Sequence, residues 1–324
     1  MMNLYVIGCG GIGGYVIDKL LMVISSLSLD LMSSVDSEAA LASIGNKAVD
    51  CFVDRVTLID GDVFSPRNAV RQGAGAGSKL ARRMLSLSKR IRLLSNASET
   101  VKSAVETLLD EKVLDSSDLD RLNREMIKVS FLQKLQLVGY NEYLNPSNVA
   151  EIIPLKPQAN PENMHAWDIY QSRLGDKIDA TVVFVCVDNK KTRYEISEYM
   201  QKFDNCLLIN GGNDKVTGHV TVYERAGGKA LDPTLPEVYP DVTPDADRRP
   251  DEIGCEVVAP KHDQIAVTNS MLADLMLSRF VQWALNGLTL SRKTKDGVRY
   301  YRNNDIEVDI QRPIVTPMYH PLNN

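Results

Sequence analysis

Short apolar runs alternate along the sequence with longer stretches in which apolar residues recur at helical spacing. Residues 3–8 form an apolar run that predicts a buried strand, and the residues after it place Val16, Ile17 and Leu20 on one face of a helix. The pattern then predicts further strands at 55–60, 148–155, 180–187 and 206–210, and further helices at about 78–94, 191–203 and 265–285. Strands that alternate with helices predict an α/β fold, Rossmann-like and doubly wound, with a mainly parallel sheet.

Three segments depart from this alternation. Residues 26–50 are rich in Ser and Ala, and we interpret them as an elaboration of helix and loop. Residues 98–140 carry helical patterns without strand signals, which predicts a helical insertion whose apolar stripe serves packing rather than binding. Residues 226–254 are rich in Pro, Asp and Gly and are predicted to form a long loop.

The C-terminal part of the chain predicts an antiparallel extension of the sheet. Residues 218–224 alternate between apolar and polar side chains, as a half-exposed strand does, and short strand-like pieces follow position 290. We therefore predict one domain over 1–290, with the helical insertion at about 98–140, and a C-terminal extension over 291–324.

Composition narrows the class of protein. The 324 residues are 44% hydrophobic and 24% charged, which is typical of a globular protein. The net charge of −5 disfavours a nucleic-acid partner, because no basic excess is present to neutralise phosphates. We find no run of about 18 apolar residues and no signal peptide, and expect no membrane association. Five scattered cysteines do not suggest a disulfide framework, so we expect a cytoplasmic protein.

A glycine-rich loop stands between the first strand and the first helix. Gly8, Gly10 and Gly13 form a Gly-x-Gly-x-x-Gly pattern, with Gly11 as a further glycine inside it. Glycines allow a tight turn and close approach to a phosphate, and the helix N-terminus supplies N–H donors. The loop therefore predicts a nucleotide site, with a glycine turn that binds no ligand as the alternative.

The glycine loop alone does not identify the nucleotide. Asp60 ends the second predicted strand, where a NAD-dependent oxidoreductase places the acid that binds ribose, although the insertion at 26–50 moves it further along the chain. An oxidoreductase also needs an acid or base near the nicotinamide, and we find no suitable His–Asp or Tyr-x-x-x-Lys arrangement. The alternative for Asp60 is a turn residue without a ligand.

Polar residues after Asp60 favour an enzyme that cleaves ATP. Such an enzyme must hold the triphosphate and neutralise the charge that grows on pyrophosphate. Arg71 offers a forked donor and Lys79 a point charge for that purpose. Asp188 follows the strand predicted at 180–187 and is therefore expected at the carboxyl edge of the sheet, where a carboxylate together with phosphate oxygens suits Mg²⁺.

Taken together, four segments resemble the adenylation domains of the ThiF, MoeB and ubiquitin-activating-enzyme family. They are the loop 8–14, the stretch 60–72, the stretch 188–193, and the two glycines Gly211 and Gly212 that lead into 218–220. Their order and internal spacing are similar to the family's across about 3–285. The resemblance implies ATP-dependent adenylation of the C-terminal carboxylate of a ubiquitin-like or sulfur-carrier protein ending in Gly-Gly, by a homodimer.

The resemblance also implies roles for individual residues. Asp60 would bind the ribose, and Asp188 would hold Mg²⁺ and act in catalysis. Lys79 would correspond to the family's lysine, although it follows Arg71 at a shorter spacing than the family usually shows. The predicted nucleotide contacts are the glycines Gly8, Gly10, Gly11 and Gly13, the acids Asp60 and Asp62, the amides Asn68, Gln72 and Asn189, and the cations Arg71 and Lys79. Gly211 and Gly212 would admit an extended peptide tail, or mark a plain turn at a strand end.

One further residue matches a position of those relatives, and two features depart from many of them. Cys255 stands where family members can carry a nucleophilic cysteine, with a packing cysteine as the alternative reading. The sequence has no Cys-x-x-Cys pair, so no structural four-cysteine zinc site is expected. The first strand begins almost at Met1, so the arginine that many relatives supply from a preceding helix is missing or comes from elsewhere. A catalytically silent nucleotide-binding scaffold therefore stands as the alternative function.

Overall fold

The computed structural model describes most of the predicted core. The described residues are 2–33, 52–64, 77–93, 135–156, 179–247, 249, 252, 266–286, 290, 304–312 and 314–322.

Fifteen helices and strands are assigned within these ranges. The strands are β1 (Met2–Ile7), β2 (Val53–Ile59), β3 (Gln136–Tyr140), β4 (Thr181–Val185), β5 (Cys206–Asn213), β6 (Thr217–Ala226), β7 (Lys229–Ala230), β8 (Asp305–Asp309) and β9 (Ile314–Met318). The helices are α1 (Gly11–Ser33), α2 (79–93), α3 (Val149–Ile152), α4 (Lys190–Met200), α5 (Leu235–Val238) and α6 (Ala266–Leu285).

The strands form one nine-stranded sheet with a parallel and an antiparallel part. Its order is β3-β2-β1-β4-β5-β6-β8-β9, with β7 paired to β6. The first five strands in this order are parallel, and every pairing beyond β5 is antiparallel. The α/β prediction of a Rossmann-like, doubly wound and mainly parallel sheet with an antiparallel extension is thus confirmed.

Two apolar cores cover the opposite faces of this sheet. Along β1, Leu4 and Val6 face the larger core, which contains α1 and α6, while Tyr5 and Ile7 face the smaller core, which contains α3 and α4. All six side chains of β1 are buried. Because a parallel strand is covered on both faces, it reads as a continuous apolar run, which is why 3–8 was recognisable in the sequence.

Helix α1 is apolar enough to resemble a membrane span. Its stretch Gly11–Ser28 has the length and hydropathy of such a span, and 61% of that stretch is buried inside the protein. It packs against α6 and the sheet. Burial inside the fold explains its apolar character, as for the core helix of a globular domain.

Four predictions about local structure were wrong or incomplete. Residues 148–155 were predicted as a strand, yet they contain the short helix Val149–Ile152, because a short apolar run does not distinguish strand from helix. Residues 136–140, placed in the helical insertion, form β3. Strand β6 is buried through Val220–Glu224 instead of half-exposed, because Val220 and Val222 face the larger core while Tyr223 faces the smaller one. The predicted loop 226–254 contains β7 and α5. Residues 98–134 lie outside the described part of the chain.

Strand β9 forms one edge of the sheet and carries a proline. Pro317 pairs in register with Ile306 of β8 and lies within a strand whose first four side chains are exposed. Proline cannot donate to a ladder, so within sheets it is tolerated at edges, where it also discourages pairing with another strand.

An aromatic cluster in the larger core offers a test of this packing. Phe280 of α6 is fully buried, stacks on Phe52 at 6.3 Å and meets Phe184 of β4 edge-on at 5.8 Å. Phe280→Ala should lower the free energy of unfolding by about 3–5 kcal/mol, because it removes a buried ring and leaves a cavity. Urea denaturation measures this loss. Leu285→Ala, at a half-exposed position on the same helix, should cost far less, and equal losses would contradict the packing described.

Candidate nucleotide-binding site

The glycine loop lies where the strand order reverses. β1 pairs with β2 on one side and with β4 on the other, so the loop after β1 opens at the switch point of the sheet. The ladder continues past the strand ends, because Gly8 donates to the Ile59 carbonyl at 2.9 Å and Cys186 donates to the Ile7 carbonyl at 2.8 Å. The loop is therefore fixed to both neighbouring strands.

Two of the glycines are required by the backbone itself. Gly8 has a φ of +88°, and a Cβ added there would lie 2.9 Å from the Cys186 carbonyl oxygen. A Cβ on Gly13 would lie 1.8 Å from the Gly8 carbonyl oxygen. Only glycine allows this tight turn and leaves the N-terminus of α1 close behind it. The turn has the form that a phosphate-binding loop needs.

Asp60 ties the glycine loop to the end of β2. Its carboxylate accepts hydrogen bonds from the backbone N–H of Cys9 at 2.5 Å and from that of Asp62 at 2.8 Å. The residue is 9% exposed, and burial raises its pKa, while these two bonds and Lys79 lower it. Asp60 thus has a defined role inside the loop, and the ribose contact stays a prediction.

Lys79 begins α2 and lies against Asp62. Its ammonium is paired with the Asp62 carboxylate, and its backbone N–H donates to the Asp62 carbonyl at 3.1 Å. Lys79 is buried, whereas the Asp62 side chain is 46% exposed. The structure therefore places both residues beside Asp60, and a phosphate that reached Lys79 would compete with Asp62 for it.

Arg83 is a part of the loop environment that the sequence analysis missed. It is buried, forms an ion pair with Asp18 of α1 at 3.3 Å and donates to the Cys9 carbonyl at 3.4 Å. A Cβ on Gly14 would lie 2.0 Å from its guanidinium. The sequence spacing could have indicated this residue, because Arg83 follows Lys79 by four residues and so lies on the same face of the predicted helix.

Asp188 and Asn189 follow β4 on the other side of the loop. Asp188 is exposed, and its carboxylate makes no hydrogen bond or ion pair with the residues described. The Asn189 side chain caps α4 by accepting from the Thr192 N–H at 2.8 Å. Asp188 is thus available to a ligand at the carboxyl edge of the sheet, whereas the Asn189 oxygen serves the helix.

The buried Arg193 side chain holds the chain next to Asp188 in place. The guanidinium donates to the carbonyls of Val187 and Gly211, and to the Asn210 side chain at 3.2 Å, so it joins the ends of β4 and β5. Burial lowers its pKa, and the nearby Asp188 opposes that shift.

Gly211 and Gly212 are glycines because of side chains from this same chain. A Cβ on Gly211 would lie 2.5 Å from the Met276 sulfur, and one on Gly212 would lie 2.7 Å from Arg193 and 2.8 Å from His219. Both lie inside β5 and not in a turn, so the plain-turn reading was wrong. Internal packing accounts for these glycines without a peptide tail.

A cleft of about 710 Å³ extends from Asp188 along the antiparallel part of the sheet. His219 of β6 and Tyr239 line it and stack on each other at 4.8 Å. Burial first, and then the charge of Arg193, lower the pKa of His219 to about 4, while Asp241 raises it. The imidazole in the cleft is therefore neutral near pH 7.

The cysteines of the described region are packing residues. Cys9 and Cys206 are buried, Cys186 is partly buried, and none of the three is in a disulfide. Burial raises the pKa of Cys186 and of Cys206 to about 12, and that of Cys9 well above its usual value. Little thiolate is available at any of them near pH 7.

Several predicted site residues lie outside the described residues. These are Asn68, Arg71, Gln72 and Cys255. What the structure does bring together at one edge is the glycine loop with Asp60, Asp62 and Lys79 on one side and Asp188 with Asn189 on the other.

Comparison with known proteins gives low similarity throughout. No family model matches the chain, and no curated protein matches it. Among the solved structures that align with 98% of the chain, PaaA is 12% identical in sequence and has a TM-score of 0.44. E. coli MccB is 13% identical in its complexes with MccA and with ATP, and these have TM-scores of 0.44 and 0.42 respectively. The chain spans 63–64% of the length of these proteins.

The low pKa of His219 predicts how stability depends on pH. The folded protein resists protonation down to about pH 4, whereas the unfolded chain takes up the proton near pH 6.5, so stability is lost as pH falls through this window. Between pH 7 and pH 4.5 the wild type should lose roughly 2 kcal/mol more than His219→Gln. Urea denaturation at stepped pH values measures this difference, and parallel curves for the two proteins would contradict it.

Proposed function

We propose that this protein is an ATP-dependent adenylyltransferase that activates the C-terminal carboxylate of a small protein or peptide. The observation that supports this most is the convergence, at one switch point, of a tight glycine loop, a buried acid that holds it, a lysine beside it and a free carboxylate across it. Open α/β sheets bind their ligands at this position. The resemblance of the motifs supports adenylation among the nucleotide chemistries.

The residues present fit ATP and a single Mg²⁺ ion. Gly8 to Gly13 would receive phosphate at the N-terminus of α1, and Asp60 retains acceptor capacity for a ribose hydroxyl. Asp188 is the one predicted metal ligand, which suits Mg²⁺ because this ion is often held by one or two carboxylates plus phosphate oxygens. Within the described residues no group of three or more His, Cys, Asp or Glu side chains is placed to hold a metal. Bound Mg²⁺ would help to neutralise the phosphate charge.

The proposed reaction joins a carboxylate to the α-phosphorus of ATP. A carboxylate oxygen of the substrate attacks that phosphorus, the bond to the bridging oxygen of the β-phosphate breaks, and pyrophosphate leaves with the electron pair. The product is an acyl-adenylate, and no net proton transfer is required. Arg71 and Lys79 would stabilise the negative charge that develops on the leaving group.

For the finer assignment, we propose a ubiquitin-like or sulfur-carrier substrate that ends in Gly-Gly, a homodimeric enzyme and a cytoplasmic location. The motif resemblance supports the first two, and the scattered cysteines support the third. The acyl group would pass to Cys255 or to an external sulfur donor. The raised pKa values of Cys9, Cys186 and Cys206 argue against those three as acceptors.

ATP–pyrophosphate exchange tests the adenylation step. Exchange should require a carrier with a C-terminal Gly-Gly, and Asp188→Ala should reduce its rate at least about 100-fold, because the variant removes the carboxylate proposed to hold Mg²⁺ against the phosphates. Asp245→Ala, which removes an exposed acid that does not line the cleft, should retain exchange. Magnesium-dependent ATP binding with no exchange for any carrier tested would favour the silent scaffold, and absence of ATP binding would refute the proposal.

The fate of the acyl group is separable from its activation. Cys255→Ser should keep the wild-type exchange rate, because exchange reports only the reversible formation of the adenylate. If Cys255 receives the acyl group, an adduct between enzyme and carrier that is cleaved by thiols should be seen on gels for the wild type and be lost in the variant. An adduct that persists in Cys255→Ser and is still cleaved by thiols would exclude this cysteine, and exchange without any adduct would point to an external acceptor.

A further inference from the structure

The cleft beside Asp188 has a floor made of three antiparallel strands. Residues of β6, β8 and β9 lie side by side in register. One row joins His219, Glu307 and Thr316, and the row two residues further along each strand joins Thr217, Asp309 and Ile314. All six residues line the cleft, so this face of the antiparallel extension is open to a ligand.

The electrostatic charge of this cleft is negative. Five carboxylates line it against three basic side chains. Lys190 is paired with Asp241 at 2.5 Å, Arg312 is paired with Asp309 at 3.6 Å, and Arg193 is held by backbone carbonyls. The remaining three carboxylates, on Asp188, Asp214 and Glu307, are exposed and have no partner within the described part of the chain.

An aromatic and aliphatic wall stands beside these carboxylates. Tyr239 stacks on His219, and Leu235 and Val242 continue the wall. Behind it, Asp305 is fully buried and accepts a hydrogen bond from the Tyr239 hydroxyl at 2.8 Å, and its second oxygen has no partner among the described residues. A lysine or arginine fits such a surface, because its aliphatic stem covers apolar rings while its charged end reaches the carboxylates.

We propose that this cleft binds an extended, positively charged peptide segment, which precedes the carboxylate that is activated at the nucleotide edge. The inference rests on the proposed function, which requires a peptide C-terminus to reach the α-phosphate beside Asp188. It adds a selectivity for basic side chains upstream of that terminus. The cleft volume of about 710 Å³ is within the range of ligand pockets.

The spacing of the acids supports an extended peptide as the occupant. Glu307 and Asp309 are two residues apart on β8 and face the same side of the sheet. The Arg312 side chain that pairs with Asp309 at 3.6 Å is 78% exposed, so a basic side chain of a peptide can compete with it for this carboxylate. Alternate side chains of any extended strand repeat at about 7 Å, so basic residues at alternate positions of a peptide match these two acids. Asp188 lies in both the cleft and the nucleotide edge, which makes the two sites continuous.

Fluorescence polarisation without ATP tests the charge selectivity directly. The probes are two labelled peptides of equal length with free C-termini, Ala-Lys-Ala-Lys-Ala-Gly and Ala-Gln-Ala-Gln-Ala-Gly. At low salt the lysine peptide should bind at least about fivefold more tightly, a ratio expected for a few exposed charge pairs. The preference should decrease as salt is raised, because exposed charges are screened.

Variants then locate the binding surface. Asp214→Asn combined with Glu307→Gln should abolish the preference for the lysine peptide, whereas Glu151→Gln, which removes an exposed acid on α3 away from the cleft, should leave it unchanged. Equal affinity for both peptides, or equal loss in the control variant, would overturn the inference. Since ATP binding is measured separately, a wild-type protein that binds ATP but shows no preference for the lysine peptide would refute this inference alone, and absence of ATP binding would refute the proposed function.

Discussion

The pairing of β1 with a parallel neighbour on each side constrains the rest of the structure. β2 and β4 both run parallel to β1, so the chain leaves the carboxyl end of the central strand at the point where the sheet order reverses. The backbone of the glycine loop completes this arrangement, because Gly8 and Cys186 extend the two ladders by one hydrogen bond each. Every described candidate residue of the nucleotide site lies at this edge as a consequence.

Buried polar groups then give the edge its chemical character. The Asp60 carboxylate accepts hydrogen bonds from the loop backbone, and the Arg193 guanidinium donates hydrogen bonds at the ends of β4 and β5. Both charged groups therefore stabilise the framework of the site. Lys79 is held by Asp62, whereas Asp188 is left exposed. The cleft continues this pattern, with paired charges at Lys190 and Arg312 and free carboxylates at Asp214 and Glu307. Free acids beside the glycine loop suit the cationic substrate that we propose.

Local sequence patterns predicted those helices and strands whose apolar positions coincide with their buried side chains. The strands β1 and β4 were recognised because both of their faces are buried, which gives continuous apolar runs. The helix α6 was recognised because one of its faces is buried, which gives helical periodicity. The helix at Val149–Ile152 was mistaken for a strand because four residues are too few to show a period. Asp60, Lys79 and Asp188 were placed correctly at strand and helix ends. The bond from the Cys9 backbone to Asp60, the Arg83 contact with Gly14 and the packing of Gly211 against Met276 join residues far apart in the chain, and no local pattern encodes them.

The central claim is that ATP binds at the edge between β2 and β4, and photolabelling tests it most directly. The protein is irradiated with 8-azido-ATP in the presence of Mg²⁺, digested, and the labelled peptides are identified by mass spectrometry. The account predicts a label that excess ATP removes and that lies on peptides containing the ends of β1, β2 or β4. A competable label confined to other described elements, such as α3 or β9, or no competable label at all, would contradict it.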